Sequence, residues 1–500
     1  MNTFESLKFS NGFAQLGEKF FARVKPTPLR DNYLIHANLS VAEQLNLNPA
    51  EFDRDDCAQI LSGETLLDGA EPLAMLYAGH QFGHFVPQLG DGRAIMLGEI
   101  EGIDNSRFEL QLKGAGLTPF SRDGDGRAVL RSTIREYLCS AAMEGLGIPT
   151  TRALCMTGSQ QEVYREQIET GATLCRVAES HVRFGSFEVF FHRHQYDELK
   201  ILADYVIDQH YPELKDNITE PKDIYLELLK AVITKTAKLM VQWQLVGFAH
   251  GVMNTDNMSV LGLTMDYGPF AFLDTYEPGF ICNHSDYQGR YAFDQQPQIG
   301  LWNLTCFAQA LLPLIDMEDG ERAAKLANEA LQNYEPVLIN HYAAGMRKKL
   351  GLHSALEIDR TLSADLLALM DQNQVDYTNA FRALSQIKLA DKSEDSVLKD
   401  LFLERDSVDQ WLERYRQRLL QEDTVSDEQR WTLMNQVNPK YILRNHMAQK
   451  AIEMAETGDF SEIDCLMTIL ASPFEELDQF AEYAKPPADD LNRVIVSCSS

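Results

Sequence analysis

Residues 250–268 read HGVMNTDNMSVLGLTMDYG, and the organisation of the chain follows from this stretch. It lies in a loop-rich, apolar, glycine-containing segment near 250–300, between helical patterns over 224–246 and 302–314. Connections held between rigid elements are where chemistry collects. Asn257 and Asp266, nine residues apart, are hard oxygen donors suited to Mg²⁺ bridging phosphate oxygens, and such a pair accepts Mn²⁺ equally. Asp256, beside Asn257, is the remaining candidate carboxylate for proton transfer.

Working outward toward the amino terminus, residues 85–190 show strand patterns broken by glycine turns, with one strong helix among them. RFELQLK (107–113) alternates Phe108, Leu110 and Leu112 with Glu109, Gln111 and Lys113, so Lys113 points away from the apolar face. Over 128–145, Leu130, Ile134, Tyr137, Leu138 and Ala141 form one helical stripe that Gly145 and Gly147 close. Glu136 stands off that stripe, free to reach a cleft. Gly90-Asp91-Gly92-Arg93 reads as a turn between strands whose glycines permit close approach of a phosphate. Asp123-Gly124-Asp125-Gly126-Arg127 precedes the helix, where backbone amides favour anions. Arg176, inside an apolar strand, and Arg183, in the turn after it, each require an anionic partner, either a nucleotide or a structural ion pair. His80 and His84 lack a third nearby ligand, which favours a structural role over zinc.

Composition narrows the class. The 500 residues are 45% apolar and 24% charged, with 45 Lys and Arg against 74 Asp and Glu. The formal charge of −29 repels nucleic acid and anionic membranes, neither of which is an expected partner. It also repels ATP, so clustered arginines are informative. No run approaches the ~20 apolar residues of a membrane span, and the first residues lack a signal-peptide core, which points to the cytoplasm. The eight cysteines (57, 139, 155, 175, 282, 306, 465 and 498) contain no CxxC pair and read as reduced thiols.

A strand lysine, a glutamate on the next helix and a later Asn and Asp pair resemble the working parts of protein kinases. Kinases place their base five residues before the metal-binding Asn. Here that position is Val252, which accepts no proton. Taken together, YAGHQFGHF, QLGDGRA, FELQLKGAG, SRDGDGRA, HGVMNTDNMS, DYGPFAFLD and the terminal SCSS resemble the selenoprotein O family, also known as the YdiU family, over nearly the whole chain.

The resemblance implies an α+β, protein-kinase-like bilobal fold with a helical C-terminal extension. It implies a protein adenylyltransferase that moves AMP from ATP to Ser, Thr or Tyr hydroxyls of target proteins, with ATP inverted relative to kinases and pyrophosphate leaving. Gly90, Gly92, Arg93, Lys113, Asp125, Gly126, Arg176, Arg183 and Asp266 would hold the nucleotide, and Glu136 would position Lys113. Asn257 and Asp266 would bind the metal, with Asp256 as the base. Family members often carry selenocysteine where this chain has Cys498, so only sulfur chemistry is available here, and the expected redox partner of Cys498 is Cys282, which follows Asp266-Tyr267-Gly268 in the segment that corresponds to a kinase activation loop. The expected organisation is a lead-in over 1–70, a nucleotide-binding lobe over 71–194, a catalytic lobe over 195–400, and a helical extension with a redox tail over 401–500. The rival readings are a protein kinase transferring the γ-phosphoryl group and a catalytically silent ATP-binding redox scaffold.

Overall fold

The computed structural model describes residues 1–216, 218, 223–422 and 426–487. Its strands are β1 (Phe9–Ser10), β2 (Phe21–Arg23), β3 (Tyr33–Ala37), β4 (Leu73–Met75), β5 (Gly79–Gln81), β6 (His84–Val86) and β7 (Ala94–Glu101). They continue with β8 (Arg107–Lys113), β9 (Ala128–Val129), β10 (Arg152–Tyr164), β11 (Ile168–Ala178), β12 (Phe248–Ala249) and β13 (Ala271–Phe272). Nine of them form an antiparallel sheet in the order β2-β4-β7-β8-β11-β10-β3, with β1 beside β7 and β9 beside β11. Residues before 70, read as a lead-in, thus supply β1, β2 and β3 to this sheet.

The alternation of RFELQLK is present in β8, but neither of its faces meets water. Phe108, Leu110 and Leu112 enter an apolar core with Val41, Leu45 and Ile95. On the opposite face Glu109, Gln111 and Lys113 are buried as well, against His181, Asp91 and, on the helix Leu130–Gly145, Glu136 respectively. A central strand under a helix needs polar partners for its polar face, and each of the three has one. The single apolar stripe expected for Leu130–Gly145 is likewise too narrow. Burial runs almost all round it, since Asn445–Glu456 and Ser461–Leu470 pack on its far side.

Two local expectations are corrected. The Gly90–Gly92 turn does not join two paired strands: Leu89 and Asp91 hang from β4 and its continuation by backbone bonds to Tyr77 O (2.8 Å) and Met75 O (2.9 Å), while β6, which precedes the turn, pairs with β5 in a separate hairpin. The Asp123–Arg127 loop does not open the helix directly, because β9 intervenes.

Helices fill the rest, including Asp223–Val246 and Gln296–Ile315 on either side of the 250–290 loops. Trp411, Leu412, Tyr415 and Leu419 of Arg405–Leu419 enter a second core, whereas Leu420 lies past the helix and is exposed. Among the described residues, one segment, Phe293–Ile315, is long and apolar enough to cross a membrane, and more than half of its apolar window is buried.

Candidate active site

β7, β8 and β11 face the loops after β12 across a cleft of about 930 Å³. Gly90, Gly92, Arg93, Lys113, Asp125, Gly126 and Arg176 line it from the sheet side, and Asp256, Asn257 and Asp266 from the loop side. Glu136 and Arg183 sit just behind this lining. Antiparallel register brings Lys113 opposite Leu174 and places Arg176 opposite Gln111. The two cations therefore point from neighbouring strands toward the same helix face, where Glu136 meets both Lys113 and Arg176.

These ion pairs set the titration of the group. Burial pushes Lys113 down to about 8, against the pull of Glu136. Burial alone would raise Glu136, but Arg176 and Lys113 hold it below the ordinary carboxylate range. Asp266, in the left-handed region at φ +58°, takes Arg176 Nη2 at 2.7 Å and Arg183 Nη1 at 3.0 Å. Those arginines outweigh its burial and keep its carboxyl well below the usual range. Arg183 also donates to Asp256 O at 3.1 Å and lies over the Tyr77 ring at 4.4 Å. Of the two partners expected for Arg176 and Arg183, structural ion pairs are present.

Asp256 has the opposite environment. Burial pushes it up to about 7 against the weaker pull of Arg183, and among the described residues no cation forms an ion pair with its carboxylate. Oδ2 accepts from Gln81 Nε2 at 3.1 Å, while Oδ1 is buried without a partner among the described residues. Asn257 Nδ2 donates to Val252 O at 2.9 Å, which leaves its amide oxygen as the acceptor of the side chain. Asn257 and Asp266, both lining the cleft, offer oxygen donors of the kind that suits a hard divalent cation, with the Asp266 oxygens paired to Arg176 and Arg183.

Asp125 accepts from the Arg127 amide at 2.9 Å and pairs with Arg165 at 2.8 Å on the rim. Cys282 is buried away from the lining, its thiol directed at Ala249 O at 3.5 Å, and burial pushes it up to about 12. Cys498 lies outside the described residues. His80 has partners from distant sequence: Nδ1 is 2.6 Å from Glu188 Oε1, and with Cys306 the three ligand-type atoms lie within 4.8 Å of one another. Both oxygens of Glu188 and the facing nitrogen of His80 are spent on hydrogen bonds, and His84 is exposed. Sequence reading missed Gln81, Glu188, Asn254 and Thr255, which meet around Asp256, and the buried Asp91, which accepts from the Met75 amide at 3.1 Å.

A family profile described as "Protein adenylyltransferase SelO" matches residues 3–471. The chain belongs to the SelO family. It is 52% identical over 500 residues to the "Protein nucleotidyltransferase YdiU" of Myxococcus xanthus, with all of both chains covered. It is 50% identical over 505 residues to that of Vibrio vulnificus and 51% over 503 residues to that of Thiobacillus denitrificans, again over the full length of each. As a SelO-family member it is a nucleotidyltransferase enzyme.

Proposed function

We propose that this enzyme transfers AMP from ATP to Ser, Thr or Tyr hydroxyls of other proteins in the cytoplasm, on a kinase-like bilobal fold that holds ATP inverted. On this reading residues 71–194 are the nucleotide half, 195–400 the catalytic half and the described part of 401–500 a helical extension, while the proposed redox tail at its end lies outside the described residues. The observation that carries this reading is Asp256, a buried carboxylate lining the cleft with no ion-pair partner among the described residues, across from Arg93, Lys113 and Arg176.

The residues divide the work by charge. Asp256 takes the proton of the acceptor hydroxyl as its oxygen attacks the α-phosphorus, a contribution of ~10²–10⁴-fold for a general base. The bond to the β-phosphate oxygen breaks, and Arg93, Lys113 and Arg176 take up the charge of the departing pyrophosphate. Gly90, Gly92, Asp125 and Gly126 shape the rest of the nucleotide pocket, and Glu136 keeps Lys113 in place. Asp266 and Asn257 would hold Mg²⁺ or Mn²⁺, which when bound neutralises phosphate charge. Asp266 neutralises Arg176 and Arg183, a pairing that bound phosphates would share. Cys498, joined to Cys282, would make the enzyme redox-responsive. That bond requires the Cys282 segment to open, because the thiol is buried.

Isotope position tests the reading. With α-labelled ATP the label enters protein, and with γ-labelled ATP it does not. Protein labelled from the γ position would restore the kinase alternative, and label from neither would leave the silent scaffold.

A further inference from the structure

The motif Gly79-His80-Gln81-Phe82 has no part in the chemistry above, yet each of its four residues meets the loop Asn254–Asp256. Gly79 lies against Asp256 so closely that a Cβ there would stand 2.8 Å from Oδ1 and 3.1 Å from the Asp256 amide nitrogen. The His80 amide donates to Thr255 Oγ1 at 2.7 Å. Gln81 Nε2 donates to Asp256 Oδ2 at 3.1 Å. The Phe82 amide donates to Asn254 Oδ1 at 3.1 Å and to Tyr291 Oη at 3.0 Å, and Tyr291 in turn donates to Asn254 Oδ1 at 2.6 Å. Thr255 Oγ1 passes its proton-side bond to Glu188 Oε2, whose other oxygen meets His80 Nδ1. The ring His80–Thr255–Glu188–His80 is therefore closed.

We infer that the β5–β6 hairpin is a positioning clamp for the catalytic loop, and that Gln81 is the positioning residue that orients the Asp256 carboxylate. This inference rests on Asp256 being the base. The argument is geometric. A carboxylate turns about its Cβ–Cγ bond unless one oxygen is held. Gln81 holds Oδ2, and the hairpin backbone at Gly79 closes the space on the other side. Oδ1, packed against Gly79, is buried without a hydrogen-bond partner among the described residues, so the hairpin constrains the carboxylate at both oxygens. Gln81 itself is anchored through its neighbours, because the His80 and Phe82 amides on either side are bonded to the same loop. Rigid neighbours around a reacting group are what small misplacements of a base would otherwise cost in rate. Gln81 touches Asp256 and none of Arg93, Lys113 or Arg176 by hydrogen bond, so its removal acts on the base and not on the nucleotide clamp.

The test compares wild type, Gln81→Met and Asp256→Asn in AMP transfer to a protein acceptor, with ATP affinity by calorimetry and melting temperature measured alongside. Gln81→Met keeps the length of the side chain and removes the donor. We expect kcat to fall about ten- to a hundredfold with KM and affinity for ATP within about twofold, the pattern of an interaction lost in the transition state only. A kcat within about threefold of wild type, or a parallel loss of ATP affinity, overturns the clamp. Should Gln81→Met melt early, Gln81→Glu reads the same bond by replacing the donor with an acceptor. It must also lose kcat, and wild-type turnover in it overturns the assignment. Asp256→Asn separates the two levels: if it keeps wild-type turnover, the base reading itself falls. If it is silent while Gln81→Met and Gln81→Glu are fully active, the base stands and the clamp alone is wrong.

Discussion

Asp256 and Asp266 differ in what they do for the fold. Asp266 sits between two arginines that are 2–4% exposed, and its removal leaves both guanidinium groups buried without that partner. Breaking a buried pair from one side costs roughly 3–5 kcal/mol, so Asp266→Ala should melt several degrees below wild type as well as lose AMP transfer. Asp256 is held up near neutrality by burial, so its charged form is a burden on the folded state. Asp256→Ala should melt at or above wild type, lose transfer and still bind ATP. Melting curves and calorimetry at neutral pH check both, and the reverse order of stability would overturn the assignment. The sequence made Lys113, Glu136, Asn257 and Asp266 legible because each has a fixed place in a strand, helix or loop pattern. Gln81 and Glu188 were not legible, because their partners lie 175 and 67 residues away in the chain and no local spacing encodes such bonds. Asp91 was hidden by its flanking glycines, which drew the reading toward backbone approach when the buried carboxylate was the other half of the design.

At the scale of elements, periodicity placed β8 and the helix Leu130–Gly145 correctly but gave each one buried face too few. A polar face reads as solvated in a single sequence, and only tertiary packing reveals that Glu109, Gln111, Lys113 and Glu136 are buried with polar or charged partners. The same limit concealed the role of the C-terminal helices. Arg135, one residue before Glu136, donates to Phe270 O at 2.7 Å and reaches Asn445 Oδ1 at 3.4 Å, which ties the helix to both the metal-loop segment and the extension. At its end Gly145 packs so tightly that a Cβ would stand 1.9 Å from the backbone oxygen of Leu470. Backbone cannot yield as a side chain can, so Gly145→Ala must displace one helix against the other. Overpacking of this kind costs about 1–3 kcal/mol. We expect Gly145→Ala to lower the melting temperature and, because the moved helix carries Glu136, to lower AMP transfer too. Wild-type melting would show that the extension slides freely.

For the whole molecule, titration offers a test that the net charge complicates. With a formal charge of −29, raising the pH adds self-repulsion and by itself lowers stability. Lys349 works in the other direction. It is 3% exposed in the second core, with its ammonium 4.1 Å from the Phe381 ring centre and 5.3 Å from that of Tyr377, and no carboxylate among its described ion-pair partners. Burial pushes it down to about 7. Between that value and the unfolded lysine value of about 10.4, the unfolded chain carries a proton that the folded chain has lost. Stability from this group therefore rises with pH across the window, by at most about 1.4 kcal/mol per unit. Below the folded value both states are protonated and the penalty is constant. Lys349→Met removes the amine and keeps the volume, so its advantage over wild type should be largest at pH 7 and shrink steadily toward pH 10. Comparing the two proteins at each pH cancels the self-repulsion of the remaining charges, which both share. Parallel melting curves across that range would mean that Lys349 keeps its proton in the folded state, held by the two rings.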